Sequence, residues 1–464
     1  MAAPPQSKGR PALSAQSTAA SLAPFHDWWA ERHRNGHFRV ERLAFRDLDS
    51  WSFEPGTGNL AHASGRFFTI EGLQVRENGL DTWSQPIINQ PEIGILGIVV
   101  KEFDGVLHCL MQAKMEPGNI NTLQLSPTVQ ATRSNYTQVH RGMSTRYLEH
   151  FTGPGRGRVL VDVLQSEQGA WFWRKRNRNM VVLVTGEVPV HEDYCWLSLS
   201  QIRQLHHVDN LVNMDARTVL ACLSGLLPEE APPPAADAFR DALLRSCRYR
   251  EDGNGARHTS GEILSWFTEA KTRCDWTARL TPLADVSGWA RDDEEIADAH
   301  QRHFRIIAIG VEAGTREVQR WTQPLLLPRG EGRAVFLVRP FDGVLHVLVH
   351  ARQQYGLMDL VEMAPTVLLP PGAGVTAVRE RWLRGALASG KGTVRYDQVL
   401  SEEGGRFYNA LTRYQIIEVG EEYATDPPPD YCWMTVRQLS ALLRHGHYLT
   451  IEARSLLACL HSLY

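Results

Sequence analysis

The apolar positions of the first half of the chain form dense short runs at its centre and periodic runs at its ends. Dense runs of four to ten apolar and β-branched residues are typical of buried strands, and periodic runs are typical of amphipathic helices. Strands are predicted at residues 93–101, 106–113, 159–164 and 180–184. Helices are predicted at residues 25–34, 198–205 with Ser198 as N-cap, and 215–226, and a run like the first recurs at 263–271. Strands followed by closing helices favour an α+β fold with a mostly antiparallel or mixed sheet.

The second half of the chain repeats the first. The sequence FDGVLH at 103–108 recurs unchanged at 341–346, a shift of 238 residues. Shorter matches follow at nearly the same shift, including SEQG at 166–169 with SEEG at 401–404 and DYCW at 193–196 with DYCW at 430–433. A period of this length is the size of a domain, so the sequence predicts a duplicated domain and excludes a solenoid.

The repeat and the local composition divide the chain into four parts. Residues 1–24 are rich in Ala, Ser and Pro without a continuous apolar stretch, so they predict a disordered tail and not a secretory signal. The first repeat spans 25–227 and the second spans 259–464. Residues 228–258 contain three consecutive prolines and predict a stiff linker, followed by an insertion or a helix plus loop.

Composition and charge exclude several classes of protein. The 464 residues carry 49 Lys and Arg against 52 Asp and Glu, so no global field favours nucleic acid or an anionic membrane. A basic run at 174–178 follows two tryptophans, but it is too short for an RNA-binding surface and is typical of a strand edge or a diphosphate clamp. No apolar run approaches the ~20 residues of a membrane span. Seven scattered cysteines without a CxxC pair indicate reduced, buried thiols, so we expect a soluble cytoplasmic protein.

Familiar catalytic motifs are missing from the sequence. It holds no GxGxxG after a strand, no GxxxxGK[ST], no HExxH and no GxSxG, and its 18 histidines match no standard metal-site spacing. The residues alone therefore predict a duplicated α+β protein with a polar site in each half, without naming a reaction.

Four polar stretches carry a family resemblance. They are QAKMEPGN at 112–119, QLSPTVQATRSNY at 124–136, QSEQG at 165–169 and SEEGGRF at 401–407. Together they resemble the NDP-hexose 2,3-dehydratases, lyases of the deoxysugar pathways that decorate bacterial natural products. The resemblance covers residues 25–464. It implies tandem Nudix-like domains, a homodimer, no cofactor, and conversion of dTDP-4-keto-6-deoxy-D-glucose to dTDP-3,4-diketo-2,6-dideoxy-D-glucose. The labile product implies a downstream 3-ketoreductase as a functional neighbour.

The resemblance also implies that no divalent metal takes part, and the sequence bears on this point. Placing Glu402 and Glu403 on the paired glutamates of a Nudix box puts Gln398 and Val399 where that box needs Arg-Glu. The first repeat departs from the same pattern at 163–164 and at Ala170. Because the carboxylates that hold a hard cation are incomplete in both halves, we expect no metal.

The implied elimination needs a base near C-3, a proton donor near the C-2 oxygen and hydrogen-bond donors around the C-4 oxygen. Glu116 is the candidate base, with Lys114 or Tyr136 as donor. The alternatives are a solvated turn glutamate, a surface lysine and a packed tyrosine. We place the reaction in the first repeat, because the second has Gln354 where the first has Glu116. Against this, the second repeat has the more acidic turn, at 402–406.

Substrate binding needs a surface for thymine and donors for the diphosphate. Trp28 and Trp266 lie at matching places on the leading helix of each repeat and could stack on the base or contact the sugar, although a core role is more typical of such residues. Arginine and hydroxyl donors are suited to phosphate, and glycines let a ligand approach the backbone. The remaining candidates are Thr132, Arg133, Ser134, Asn135, Ser166, Arg352, Glu402, Glu403, Gly404 and Gly405.

Two other functions stay open at this point. One is a non-catalytic sugar-nucleotide-binding protein that kept duplicated pockets. The other is a metal-dependent Nudix-type diphosphatase.

Overall fold

Seven helices and 24 strands make up the described part of the chain. The computed structural model describes residues 21–77, 79–132, 145–224, 237–248, 255–300, 302–314, 319–373, 377, 384–385, 387, 392–421, 423 and 425–464. The helices are α1 (Ala23–Asn35), α2 (Leu199–Leu205), α3 (Met214–Ser224), α4 (Ala238–Arg248), α5 (Ser260–Thr272), α6 (Val436–Leu442) and α7 (Ile451–Leu460).

The strands divide equally between the halves. The first half contains β1 (Phe38–Leu43), β2 (Trp51–Phe53), β3 (Leu60–His62), β4 (Thr69–Glu77), β5 (Leu80–Asn89), β6 (Gly94–Phe103), β7 (Val106–Met115), β8 (Leu123–Ser126), β9 (Val129–Ala131), β10 (Arg158–Ser166), β11 (Arg176–Leu183) and β12 (Tyr194–Ser198). The second half contains β13 (Thr277–Thr281), β14 (Trp289–Arg291), β15 (Glu295–Asp298), β16 (Arg305–Ala313), β17 (Arg320–Leu327), β18 (Gly332–Phe341), β19 (Val344–Gln353), β20 (Val361–Ala364), β21 (Val367–Leu369), β22 (Gly392–Ser401), β23 (Leu411–Val419) and β24 (Tyr431–Thr435).

Each half builds a seven-stranded mixed sheet of its own. In the first half the order is β10-β11-β6-β7-β12, with β8 beside β7 and β9 beside β6. The β11–β6 pair is parallel and the other pairs are antiparallel. The second half repeats this topology, with β23 parallel to β18. The α+β prediction and the duplication are therefore confirmed, and the equivalent registers relate the two halves residue by residue.

Two five-stranded sheets combine strands from both halves. Strand β1 of the first half pairs with β16 of the second, so that Phe38–Leu43 runs antiparallel to residues 308–313. In return, β13 of the second half pairs with β4 of the first. The halves thus exchange their first strands, which the sequence analysis did not predict.

The predicted elements of the first half form close to their expected bounds. Ser198 caps α2 with a reciprocal hydrogen-bond pair to Gln201, as the pattern predicts. The region predicted as an insertion contains α4, whose Ser246 accepts a hydrogen bond of 2.8 Å from the backbone N–H of Val436 at the start of α6. Much of the linker, 228–236, lies outside the described residues, as does most of the predicted N-terminal tail.

The main core crosses the boundary between the halves, where α3 packs against α7. Two fully buried arginines tie this boundary together. Arg217 of α3 donates to the carbonyl of Ser401 at 2.9 Å, and Arg454 of α7 donates to that of Ser166 at 2.5 Å. All seven cysteines are unbonded and six are buried, which confirms the prediction of reduced thiols. Within the described residues, no helix combines the length and apolar character that a bilayer crossing requires.

Candidate active site

The candidate site begins at the end of β7. Lys114 and Glu116 are two residues apart, so their side chains leave the extended chain on one side. The Lys114 Nζ lies 3.3 Å from the Glu116 Oε1, and the Gln130 Nε2 donates to the same oxygen at 2.9 Å. Glu116 is only 5% exposed, which rules out a solvated turn glutamate. Both contacts hold the Glu116 carboxyl group in place.

A turn of the second half closes over this position. The backbone N–H of Gly118 donates to the carbonyl of Gly404 at 2.7 Å, and Asn409 returns a bond to the carbonyl of Gly118 at 2.7 Å. A side chain at Gly118 would place its Cβ 1.8 Å from the carbonyl oxygen of Phe407. Gly118 of the PGN motif is therefore needed because two backbone turns touch, and a Cβ at Gly404 of the EEGG motif would lie 2.1 Å from the Asn119 Oδ1.

The contact of the turns brings Glu403 to Glu116. A Cβ at Gly405 would lie 3.4 Å from the Glu403 Oε1 and 3.8 Å from the Glu116 Oε1. The two carboxyl groups thus face the same small space, one from each half of the chain. The candidate place therefore combines residues of both repeats, whereas the sequence-based expectation was the first repeat.

Arg406 lines the same space from the second half. Its Nε donates to the Gln90 Oε1 at 3.1 Å, its Nη1 donates to the Gly405 carbonyl at 2.7 Å, and its guanidinium lies 4.3 Å from the centre of the Phe68 ring. Gln323 also donates to the Gly405 carbonyl, at 2.9 Å. These contacts fix the turn that carries Glu403.

Burial and crowding of negative charge shift the titration of the carboxyl groups. Desolvation, with repulsion from Glu116, raises the pKa of Glu403. Desolvation, with repulsion from Glu403, raises the pKa of Glu167 to about 8. Burial, together with repulsion from Glu403, Glu167 and Glu116, raises the pKa of Asp215 well above its ordinary value. The site therefore contains several carboxyl groups that stay protonated to higher pH than ordinary carboxyl groups.

Lys175 is the buried cation next to these groups. It is 5% exposed and its Nζ donates to the backbone carbonyl of Glu92. Desolvation lowers its pKa, although Glu167 and Glu403 oppose the shift. Two other members of the predicted basic run make contacts: Arg174 lies over the Trp173 ring, and Arg178 makes two 2.7 Å bonds to Asp162.

The equivalent place in the other half lacks the Glu116–Glu403 pair and the cations at the Lys175 and Arg406 positions. The residues that match Lys114, Glu116, Asn119, Gln130, Glu403 and Arg406 are Arg352, Gln354, Leu357, Leu368, Gln168 and Trp171. Aromatic groups fill the space, with Tyr355 4.6 Å from the Trp83 ring and donating to the Ala170 carbonyl at 3.1 Å. Of these two matching places, only the first has carboxyl groups at both the Glu116 and the Glu403 positions, whereas the counterparts of Glu167 and Asp215 in the other place are still acidic, Glu402 and Glu452.

The remaining site residues that the sequence predicted lie elsewhere in the fold. Trp28 and Trp266 use their indole N–H groups within their own halves, donating to the carbonyls of Glu192 and Pro429 at 2.8 and 2.7 Å. Ser166 donates to Glu362 at 2.6 Å, and Glu402 accepts from Tyr414 and Gln168, so these groups lie in the buried boundary between the halves. Thr132 is half-buried at the end of β9, and Arg352 lies in the aromatic-filled place.

Four predicted residues cannot be placed. Arg133, Ser134, Asn135 and Tyr136 lie outside the described residues.

Residues that the sequence analysis left out of the site are Gln130, Glu167, Lys175 and Asp215, and Arg406 was assigned no role. A comparison of the repeats would have found three of them, because Gln130, Lys175 and Arg406 are replaced by Leu368, Ala410 and Trp171 in the other half. Within the described residues, no three His, Cys, Asp or Glu side chains are placed to bind one metal ion.

The comparison with known families settles the classification. The profile of the NDP-hexose 2,3-dehydratases matches residues 22–223 and again residues 260–460. The chain belongs to the NDP-hexose 2,3-dehydratase family.

Relatives in this family match nearly end to end. The chain is 52% identical over 460 residues to the dTDP-4-dehydro-6-deoxy-alpha-D-glucopyranose 2,3-dehydratase of Saccharopolyspora spinosa, covering 98% of this chain and 94% of the relative. Enzymes of the same description from Amycolatopsis orientalis and Streptomyces violaceoruber are each 48% identical. These matches cover 98% and 95% of this chain, and 93% and 97% of the relatives.

Proposed function

We propose that this chain removes water across C-2 and C-3 of dTDP-4-keto-6-deoxy-D-glucose, giving dTDP-3,4-diketo-2,6-dideoxy-D-glucose. The relatives that match it nearly end to end carry this activity in their names, where "4-dehydro" denotes the same 4-keto group. The observation that assigns the activity to particular residues is the pair Glu116 and Glu403, which face one small space beside Gly405. The matching pair in the other half is Gln354 and Gln168, which can neither accept nor supply the proton.

The substrate provides most of the activation. Its C-4 ketone acidifies the C-3 hydrogen, and removal of that proton forms an enolate that expels the C-2 hydroxyl. In the gluco configuration the C-3 hydrogen and the C-2 oxygen lie on the same face of the ring. A base and an acid are therefore needed on one side of the sugar, which is what two carboxyl groups facing one space provide.

The surroundings of the two carboxyl groups favour different roles. Glu116 is held by Lys114 and Gln130 as a carboxylate and takes the C-3 proton. Glu403, whose pKa is raised by burial and by Glu116, gives its proton to the leaving hydroxyl, which departs as water. The enol that remains between C-2 and C-3 takes a proton at C-2 and becomes the diketone. Lys114 and Arg406 are the cations suited to hold the C-4 oxygen as its charge develops.

The finer expectations from the resemblance are also proposed. We infer that the halves are Nudix-like, which is supported by two mixed sheets of matching topology. We further propose that the enzyme needs no metal, forms a homodimer in the cytoplasm, and passes its labile product to a 3-ketoreductase. Residues 132–135 are the proposed diphosphate contacts. Trp28 and Trp266 are retained as proposed sugar-nucleotide contacts, together with Tyr136 as an alternative proton donor.

The test is turnover of the 4-keto sugar nucleotide in deuterated water, with and without chelator. We expect one deuterium at C-2 and a vicinal diketone that an aromatic ortho-diamine traps as a quinoxaline, both unaffected by chelator. A non-catalytic binder would leave the substrate intact, and a diphosphatase would release phosphorylated sugar in a metal-dependent reaction.

Paired variants connect the test to the site. Glu116→Gln should be inactive, whereas Gln354→Leu at the equivalent place in the other half should turn over normally. Unchanged deuterium incorporation by Glu116→Gln would overturn the choice of base.

A further inference from the structure

A chain of three hydrogen bonds reaches Glu116 from the start of helix α3. Asn213 donates from its Nδ2 to the Ser126 Oγ at 2.9 Å. The Ser126 hydroxyl donates to the Gln130 Oε1 at 3.0 Å, and the Gln130 Nε2 donates to the Glu116 Oε1 at 2.9 Å. Asn213 and Ser126 are 3% and 0% exposed, so water does not compete for these bonds at the buried end.

The direction of the chain is fixed at its buried end. The Asn213 Oδ1 accepts the backbone N–H of Ala216 at 2.8 Å as the N-cap of α3, which leaves only its NH₂ group to face Ser126. Ser126 accepts that bond and has its own proton for the Gln130 carbonyl oxygen. The Gln130 amide must then present its NH₂ group to Glu116. A donor is thereby aimed permanently at one oxygen of the carboxylate.

The other half shows that the same fold forms without this series of hydrogen bonds. The residues that match Asn213, Ser126, Gln130 and Glu116 are Thr450, Ala364, Leu368 and Gln354. The Thr450 hydroxyl accepts the backbone N–H of Ala453 at 3.3 Å and so caps α7, as Asn213 caps α3. Thr450 has no side-chain amide that could donate a further hydrogen bond. Leu368 packs against the main core. The same backbone is therefore built with an apolar residue in place of Gln130 and no hydroxyl in place of Ser126.

We propose that Ser126 and Gln130 are positioning residues for the dehydratase reaction: they hold Glu116 as an oriented carboxylate beside the C-3 hydrogen of the substrate. The proposal rests on the proposed function, in which Glu116 is the base. Neither residue touches the reacting atoms. They orient the Glu116 side chain and keep a hydrogen-bond donor against its Oε1 oxygen. They therefore affect the rate of proton removal and not the affinity for substrate.

The test replaces each residue with its counterpart from the other half, as Ser126→Ala and Gln130→Leu. Misorientation of a catalytic group costs up to about a hundredfold, so we expect kcat to fall about tenfold to a hundredfold in Gln130→Leu. Ser126→Ala should lose less, and KM should change less than twofold in both. With substrate deuterated at C-3, both variants should show a larger isotope effect on kcat, because proton removal becomes slower. The double variant should be no worse than Gln130→Leu, since the bonds act in series.

Ser246→Ala is the matched control, because it removes a fully buried serine hydroxyl from α4. Its kcat and isotope effect should match those of the parent enzyme, and thermal unfolding should show that all variants fold. Unchanged kcat in Gln130→Leu, additive losses in the double variant, or an equal kcat loss in Ser246→Ala would overturn the proposal. A fully active Glu116→Gln would overturn the base assignment as well, whereas an inactive Glu116→Gln beside fully active Ser126→Ala and Gln130→Leu would overturn the positioning role alone.

Discussion

The residues of the site differ from their counterparts in the other half by single chemical features. Glu116 and Gln354 occupy equivalent buried places, and half-buried Glu403 matches buried Gln168. An amide has nearly the shape of a carboxyl group but cannot exchange a proton at neutral pH. The duplication therefore contains its own isosteric comparison, in which the fold is kept and the acid–base chemistry is removed.

Glu403 predicts a characteristic dependence of kcat on pH. Burial and the charge of Glu116 raise its pKa above that of an ordinary glutamate. A group that donates a proton works in its protonated form, so kcat should be highest below this raised pKa and fall as the pH rises through it. Glu403→Gln cannot donate a proton and should lose about 10²–10⁴-fold in kcat.

The measurement is a kcat profile with pH for the parent, Glu403→Gln and Glu403→Asp. The aspartate variant keeps an acid and should retain part of the rate with an alkaline fall. If Glu403→Gln kept both the rate and the alkaline fall, another group would be the acid.

The sequence was sufficient to find Glu116, Lys114 and the 402–405 turn, because these residues lie in polar motifs that a scaffold does not explain. It could not place Glu403 against Glu116. That contact depends on two turns from opposite halves, and nothing in the local pattern of either motif specifies its partner. Asp215 was missed for a related reason, since as the second residue of α3 it resembles an ordinary helix start.

At the scale of elements, two pairs of touching turns connect the halves, and only one pair borders the site. Gly118 meets the 404–407 turn, and its equivalent Gly356 meets the 169–172 turn. A Cβ would lie 1.8 Å from a carbonyl oxygen at Gly118 and 2.0 Å from one at Gly356. The two glycines are thus a matched pair for separating stability from catalysis.

We expect Gly118→Ala and Gly356→Ala to lower the free energy of unfolding by similar amounts, about 1–3 kcal/mol, because overpacking forces backbone to move. Only Gly118→Ala should also lower kcat, since it pushes the Glu403 turn away from Glu116. Chemical denaturation gives the first quantity and steady-state kinetics the second. Equal kcat losses in the two variants would contradict the assignment of the site to one pair of turns.

Elements with a clear apolar pattern or a capping motif were predicted from the sequence, and elements without such a signal were not. Strand β6 is almost wholly buried and α2 has a capping box, so both are readable in the sequence. Strand β1 alternates between half-buried and exposed positions, with no dense apolar run. Its burial comes from β16 of the other half, so the sequence around β1 does not specify its place.

At the scale of the molecule, the halves hold each other by exchanged strands in addition to the packing of α3 against α7. Each half completes a sheet of the other, through β1 on β16 and β13 on β4. The buried arginines Arg217 and Arg454 then bond the carbonyls of the opposite half. Because the Glu116–Glu403 pair spans this boundary, a working site requires both halves to be docked.

This arrangement predicts that the covalent connection between the halves is dispensable once the chain has folded. A protease site inserted within 228–236 and then cut should leave two fragments that stay together on a sizing column and keep kcat. The reason is that backbone ladders, the α3–α7 core and the arginine bonds remain intact after cleavage. The uncut insertion variant is the control. In the cut protein, Val40→Asp should weaken the association and the activity together, because Val40 packs against the apolar side chains of β16 and β17. Fragments that separate at micromolar concentration without this substitution would show that the linker, and not the exchanged strands, keeps the site assembled.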